Sequence, residues 1–268
     1  MNNFGVLFLV FTIYSFLGWI TESIFCSVPA GKFINRGFLT GPFCPIYGVG
    51  AVIAIPMLSP LKDTPVLLYT AGAVITSLLE YFTGFLLEKT FHTTYWDYSG
   101  HRFNIRGRVC LQNTLLFGLM CLVGVLYIHP VVMRLVGMVP GKFLPFIDIL
   151  LMVYFITDFV ISAAASITLN GRLAELQQIM DEIKERASLA TAETIESLQA
   201  KIGGLLDEDT RSYLKVRFEK KETIESGIKF FQRRMINAFP TMKSIASNES
   251  LQRLKVAIQD KAKNIRRG

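Results

Sequence analysis

The sequence predicts an all-α, polytopic helical membrane protein with about five transmembrane helices and a cytosolic helical tail. Gly37 to Leu61 and Val109 to Met133 carry no charged side chain, whereas the chain from Gly171 onward is charged every few positions. Crossing a hydrocarbon core of ~30 Å takes roughly 20 apolar helical residues, so uncharged runs of that length read as membrane spans. The 28 Lys and Arg residues divide as nine in residues 1–170 and nineteen in the tail. The net charge of +7 therefore mostly describes the tail and carries no nucleic-acid signal. Two domains follow: residues 1–170 as the transmembrane part and 171–268 as a charged helical tail.

The first span is expected at Phe4 to Ser23. Met-Asn-Asn-Phe lacks the basic start of a secretory signal, and Glu22 interrupts the place of a cleavage region, so the segment reads as a retained span. The second, Gly41 to Leu58, is the irregular one. Pro42, Pro45 and Pro56 with Gly41, Gly48 and Gly50 break its helical pattern. Either protein or a wet cavity satisfies a broken backbone there, or the helix is continuous and proline-kinked. The remaining spans are expected at Val66 to Leu87, Leu111 to Val131 and Phe146 to Leu169. Cys26, Cys44, Cys110 and Cys121 form no CxxC pair and read as small core residues, a Cys26–Cys44 disulfide being the alternative.

Orientation follows from loop cations. Lys32 and Arg36 in one loop, and Lys89, Arg102, Arg106 and Arg108 in another, outnumber Lys62 and the pair Arg134 and Lys142 in the other two. The positive-inside rule then sets the amino terminus outside and the tail in the cytosol of a multi-pass cell-membrane protein. Phe33, Arg36, Gly37 and Gly48 recur after an offset of 70 as Phe103, Arg106, Gly107 and Gly118. Spans one and two thus read as a possible parallel copy of spans three and four, and sites tend to form where such repeats meet.

Charges inside spans are the sharpest chemical clue, because an unpaired carboxylate in hydrocarbon costs several kcal/mol. Glu22, Glu80, Glu88, Asp148 and Asp158 are those carboxylates. Glu80, Gly84 and Glu88 keep i, i+4, i+8 spacing, which puts both acids and a gap for close approach on one helix side. Arg36, Arg106 and Arg108 are the natural partners, since guanidinium stays charged and binds carboxylate in a two-pronged way. A packing role is enough for Glu88, Asp148 and Asp158. Glu22 and Glu80 leave both a packing role and a ligand-facing role open.

Trp96-Asp97-Tyr98-Ser99-Gly100-His101-Arg102-Phe103-Asn104 mixes aromatics with hydrogen-bonding groups at an expected interface. Trp and Tyr commonly anchor there, and Asp97 or His101 is available as a base. His92, His101 and Asp97 have no metal-ligand spacing, and neither a nucleophile elbow nor a Walker phosphate loop is present. No catalytic constellation stands out, so no cofactor or metal is expected and the chain reads as non-enzymatic.

Gly18-Trp19 with Glu22, Asn35-Arg36-Gly37-Phe38-Leu39, Gly41-Pro42, Cys44-Pro45-Ile46-Tyr47-Gly48, Glu80-Tyr81, Glu88, Trp96-Asp97-Tyr98-Ser99 and Gly107-Arg108 together form a further pattern. Over about residues 10 to 125 it resembles the CmpB family of type IV ABC-transporter membrane proteins. The resemblance implies a permease that works with a separate ATPase. The candidate substrate path or buried polar cluster is Glu22, Arg36, Tyr47, Glu80, Glu88, Trp96, Asp97, Asn104, Arg106 and Arg108. The lipid bilayer, an ATPase subunit and further copies of the chain are the expected partners. The competing reading is a membrane-embedded binder or enzyme for lipid headgroups, with Arg36, Arg106 and Arg108 holding phosphate.

In the tail, Leu173, Leu176, Met180, Ile183, Ala187 and Ala190 form an apolar helical seam, and Ile195, Leu198, Ile202 and Leu205 resume it after a phase shift. Residues 171–210 hold four basic and nine acidic side chains, and 211–268 hold fifteen and five. Opposite charge predicts that the two halves fold back on each other near Gly203-Gly204. The alternatives are that Lys220-Lys221, Arg233-Arg234 and Arg266-Arg267 lean on anionic lipid, or that the seam builds a self-associating coiled coil.

Overall fold

The uncharged runs of the sequence are largely helical, Gly37 to Cys44 excepted, in the computed structural model, which describes residues 3–188 and 208–267. The first helices are α1 (Asn3–Ala30), α2 (Pro45–Leu58) and α3 (Pro65–Phe91), with a 3-10 turn (Ser59–Leu61) after α2. After them come α4 (Leu111–Val123), a π-helical turn (Gly124–Ile128), α5 (His129–Gly137) and α6 (Leu144–Ser188). Then follow α7 (Glu208–Ser226), α8 (Phe230–Ala238) and α9 (Asn248–Arg267). The architecture is all-α and polytopic. Among the described residues, four stretches are long and apolar enough to cross a membrane: Phe4–Ala30, Pro65–Phe91, Leu111–Gly137 and Leu144–Ile183. These match the first, third, fourth and fifth expected spans, each extended by a few residues or more.

The second expected span differs. Pro45 stands at the start of α2, where its missing N–H costs nothing, and Gly41 to Cys44 stay non-helical. The helix and its 3-10 turn, Pro45–Leu61, are shorter than the four spans, and 14 helical residues rise about 21 Å. Pro56 lies inside the helix without ending it. Continuity past Pro56 and irregularity before Pro45 thus each hold for one part of the segment.

The first compact unit comprises Met1–Ala164 with Arg234–Met242. Its helices pair as two hairpins, α1 on α2 and α3 on α4. A glycine closes each seam. A methyl on Gly48 would meet the Ser15 hydroxyl and the Phe11 carbonyl of α1, and one on Gly118 would lie 3.0 Å from the Tyr69 carbonyl of α3. α2 also packs on α3, burying Ala51, Ala54, Ile55 and Leu58 against Leu68 and Val125. Leu9 and Val10 of α1 meet Val132 and Val136 of α5 and Leu144 of α6. The π-helical turn falls just before Pro130, whose missing N–H loosens the helical ladder there.

The second unit is drawn from Ala165–Arg233 and Lys243–Gly268. The seam of α6 is buried at Leu173, Leu176, Met180 and Ile183, and Ile179 and Ile183 pack on Phe218 of α7. Arg217 pairs with Glu182 at 2.9 Å and Lys220 with Glu175 at 2.7 Å. The acidic and basic segments therefore do lie together. Ser250 of α9 donates to Gln177 of α6 at 3.0 Å. Lys220 spends its charge on a carboxylate rather than lying free for lipid. Ala190, the resumed seam at Ile195 to Leu205 and the expected bend at Gly203-Gly204 lie outside the described residues. All four cysteines are free thiols, so no Cys26–Cys44 disulfide forms.

Gly48 and Gly50 share one helix but face different surroundings, a methyl at Gly50 meeting nothing within 4 Å. Gly48→Ala is expected to lower the thermal midpoint in detergent by the equivalent of about 1–3 kcal/mol through overpacking. Gly50→Ala should leave it unchanged or raise it. Equal effects of the two substitutions would show that the α1–α2 seam does not depend on close approach.

Candidate functional site

The site is built on the non-helical segment between α1 and α2. Buried backbone groups need partners, and this segment finds them from three directions. The N–H groups of Thr40 and Gly41 donate to the two carboxylate oxygens of Asp158 on α6, each at 2.8 Å. Cys44 N–H donates to the Ser15 carbonyl of α1 at 2.9 Å. The carbonyls of Gly37 (3.0 Å), Phe38 (3.2 Å) and Leu39 all accept from the Arg234 guanidinium. Gly37 takes a φ of 109°, a conformation open to glycine and costly for other residues. Burial pushes the Arg234 guanidinium down to about 10 while Asp158 pulls it the other way, so it remains a cation at neutral pH. Arg234 is thus a structural clamp and not a lipid-facing charge.

Held in this way, the segment delivers Arg36 and Tyr47 to one carboxylate. Arg36 Nε donates to Glu22 Oε2 at 3.2 Å, and Tyr47 Oη donates to Glu22 Oε1 at 2.7 Å. Gly18, one helical turn before Glu22, has no side chain because the Tyr47 ring occupies that place. Trp19 Nε1 donates to Asn35 Oδ1 at 2.7 Å, and Asn35 Nδ2 donates to the Thr40 carbonyl at 2.9 Å. Arg36 also donates to the Ala238 carbonyl, and its guanidinium lies 4.7 Å from the centre of the Phe239 ring.

The second hairpin supplies a matching acid. Glu80 is only 6% exposed, accepts from Tyr98 Oη at 3.2 Å on Oε1, and has no partner on Oε2. Burial, and next the Glu80 carboxylate, push the Tyr98 phenol upward, so it stays a hydrogen-bond donor throughout the physiological range. Between the hairpins lies a chamber of about 400 Å³. Glu22, Arg36, Tyr47, Glu80 and Trp96 line it, as do Tyr98 and Phe239. Deeper in, its walls are apolar side chains of α1 to α4 and the π-helical turn.

The other expected site residues lie elsewhere. Glu88 accepts from Arg108 Nε at 2.8 Å, and also from Arg108 Nη2 and from Thr94 at 3.0 Å. Arg108 lies over the Tyr81 ring and donates to its hydroxyl at 3.1 Å. Asp97 accepts from Ser99 N–H and Oγ at 2.9 and 3.0 Å, and Asn104 receives the Gly107 N–H at 3.0 Å. These four residues fix the loop between α3 and α4 and lie outside the chamber lining. Arg106 is exposed, with a φ of 52°. Arg36, Arg106 and Arg108 therefore do not converge on a common site, and the offset of 70 pairs Arg36 with Arg106, whereas Glu88 takes Arg108. Gly84 does provide the expected gap: a methyl there would lie 3.2 Å from the Trp96 ring. Among the described residues no cluster of His, Cys, Asp and Glu side chains suits a metal ion.

The Arg234–Met242 contribution went unread in the sequence, although residues 235–242 are the longest uncharged run between 211 and 268. A model of the family described as "Putative ABC-transporter type IV", ABC_trans_CmpB, matches residues 9–163. The chain belongs to this family. Its match covers both hairpins, the clamped segment and Asp158, and stops short of Arg234. No curated protein and no solved structure matches the chain. For this CmpB-family chain the family thus defines a membrane protein of a transporter class, and the chamber geometry rests on the structure alone.

Arg234→Ala leaves three carbonyls without their shared donor. A loss of about 1–3 kcal/mol in detergent unfolding is expected, with Arg234→Lys recovering only part because an ammonium lacks the planar fork. An Arg234→Ala protein as stable as the parent would show that the segment holds its shape without this clamp.

Proposed function

We propose that the chain is the permease-like subunit of an ABC-type transporter, and that the chamber between the two hairpins is its substrate path or gate. The carrying observation is that an acid from each hairpin, Glu22 and Glu80, faces the same apolar chamber. A carboxylate is kept in such surroundings only where it is paired or meets a ligand, and Glu80 is only half paired. Family membership supports the transporter class. We read the hairpins as parallel repeats, supported by Gly48 and Gly118 closing equivalent seams and by Gly37 and Gly107 sharing positive φ. The amino terminus lies outside, the tail lies in the cytosol, and a separate ATPase binds there. The chain contributes no catalytic group of its own.

The headgroup reading draws less support, because Arg108 is committed to Glu88 and Arg106 is exposed away from the chamber lining. The test is a mild-detergent pull-down of the tagged chain from native membranes, with proteins and lipids identified by mass spectrometry. A stoichiometric ATPase is the expected result. Retention of one phospholipid species with no ATPase would replace the permease reading with headgroup binding. In the complex, Glu22→Gln is expected to lower substrate-stimulated ATP turnover about tenfold or more while leaving the assembly intact, since it removes the charge that holds Arg36.

A further inference from the structure

We propose that the chamber takes a hydrophobic amine: an apolar or aromatic body carrying one cationic, hydrogen-bond-donating nitrogen. This names a substrate class for the path proposed above and rests on that reading. Its size, about 400 Å³, is within the range that holds small organic ligands. Its wall is mainly aliphatic and aromatic, with Ala54, Ile55 and Leu58 of α2 and Phe117, Met120 and Val125 among the lining residues. A fully polar solute would lose its hydration there without replacement.

The polar end decides the sign of charge. Arg36 is the cation on the lining, and it is already engaged by Glu22, the Ala238 carbonyl and the Phe239 ring. Glu22 in turn accepts from both Arg36 and Tyr47. Glu80 Oε2 is buried without a partner, and although Asn113 approaches this carboxyl, no hydrogen bond closes on that oxygen. What that oxygen lacks is therefore a donor, which an ammonium supplies and a carboxylate or phosphate does not. Trp96 and Tyr98 line the chamber near Glu80, and aromatic faces attract cations. Tyr14 Oη also lines the chamber and lacks a partner. Tyr14 lies eight residues before Glu22 on α1, about 12 Å along the axis. A second polar group on the ligand would meet it there.

Three near-isosteric probes test the assignment on the full chain in lipid nanodiscs: 2-(1-naphthyl)ethylamine, 2-(1-naphthyl)ethanol and the carboxylate 1-naphthaleneacetate. Equilibrium binding is expected to favour the amine over the alcohol and the acetate by roughly tenfold or more, the range a charged hydrogen bond gives. Glu80→Gln, which keeps the side-chain shape, is expected to erase the amine preference. This comparison on the parent protein stands even if that variant folds poorly. Equal affinity for all three, preference for the acetate, or an amine preference that survives Glu80→Gln would overturn the proposal. Amine binding without a co-purifying ATPase would remove the transport reading and leave the ligand assignment standing. An ATPase with no amine preference would do the reverse.

Discussion

The structure depends on satisfying the backbone of a segment that is not a helix. Buried peptide groups outside helices need partners in the surrounding protein, and those of Gly37 to Cys44 find them there. Asp158 takes two N–H groups, Arg234 takes three carbonyls, and Ser15 takes the Cys44 N–H. The charge of Asp158 is repaid by paired donors, and the charge of Arg234 by carbonyl dipoles, as buried ions require.

Arg36, Tyr47, Trp96 and Tyr98 are placed on the chamber lining by that segment or by its counterpart in the second hairpin. Arg36 and Tyr47 flank the clamped stretch and meet on Glu22. Beyond α3, Trp96 is held by the Arg108 carbonyl at 2.9 Å and Tyr98 reaches back to Glu80. The two hairpins use the same devices: a seam glycine, a glycine with positive φ in the loop, and an acid near the helix end paired with a loop arginine. They differ in result. Glu22 faces the chamber, while Glu88 serves the loop, and Glu80, two turns earlier, takes the chamber-facing position. Eight residues carry the helix about 80° past two full turns, so Glu80 and Glu88 share one side of α3 without pointing the same way.

The part played by Arg234–Met242 joins the family-matched region to a stretch of chain outside it. Phe239 packs edge-on to Tyr95, with ring centres 5.0 Å apart, and carries the Arg36 guanidinium on its face. Phe38 packs against Phe91, Tyr95 and Phe159. The same aromatic cluster thus seats the clamped loop and one wall of the chamber.

The membrane class, the helical fold and the acids worth watching are all legible in the sequence. Hydropathy and the cost of buried charge act locally, so uncharged runs and in-span carboxylates can be read without a structure. The pairing of acidic and basic tail segments was also legible, because charge blocks and an apolar seam are properties of composition. Which arginine meets which acid was not. Arg106 and Arg108 are two residues apart in a loop, and only the loop's turn geometry sends Arg108 to Glu88 and leaves Arg106 exposed. The shortening of α2, the clamp by Arg234 almost 200 positions away and the unpartnered oxygen of Glu80 were decided by tertiary structure alone. They depend on distances between segments, and no local pattern of residues encodes those distances.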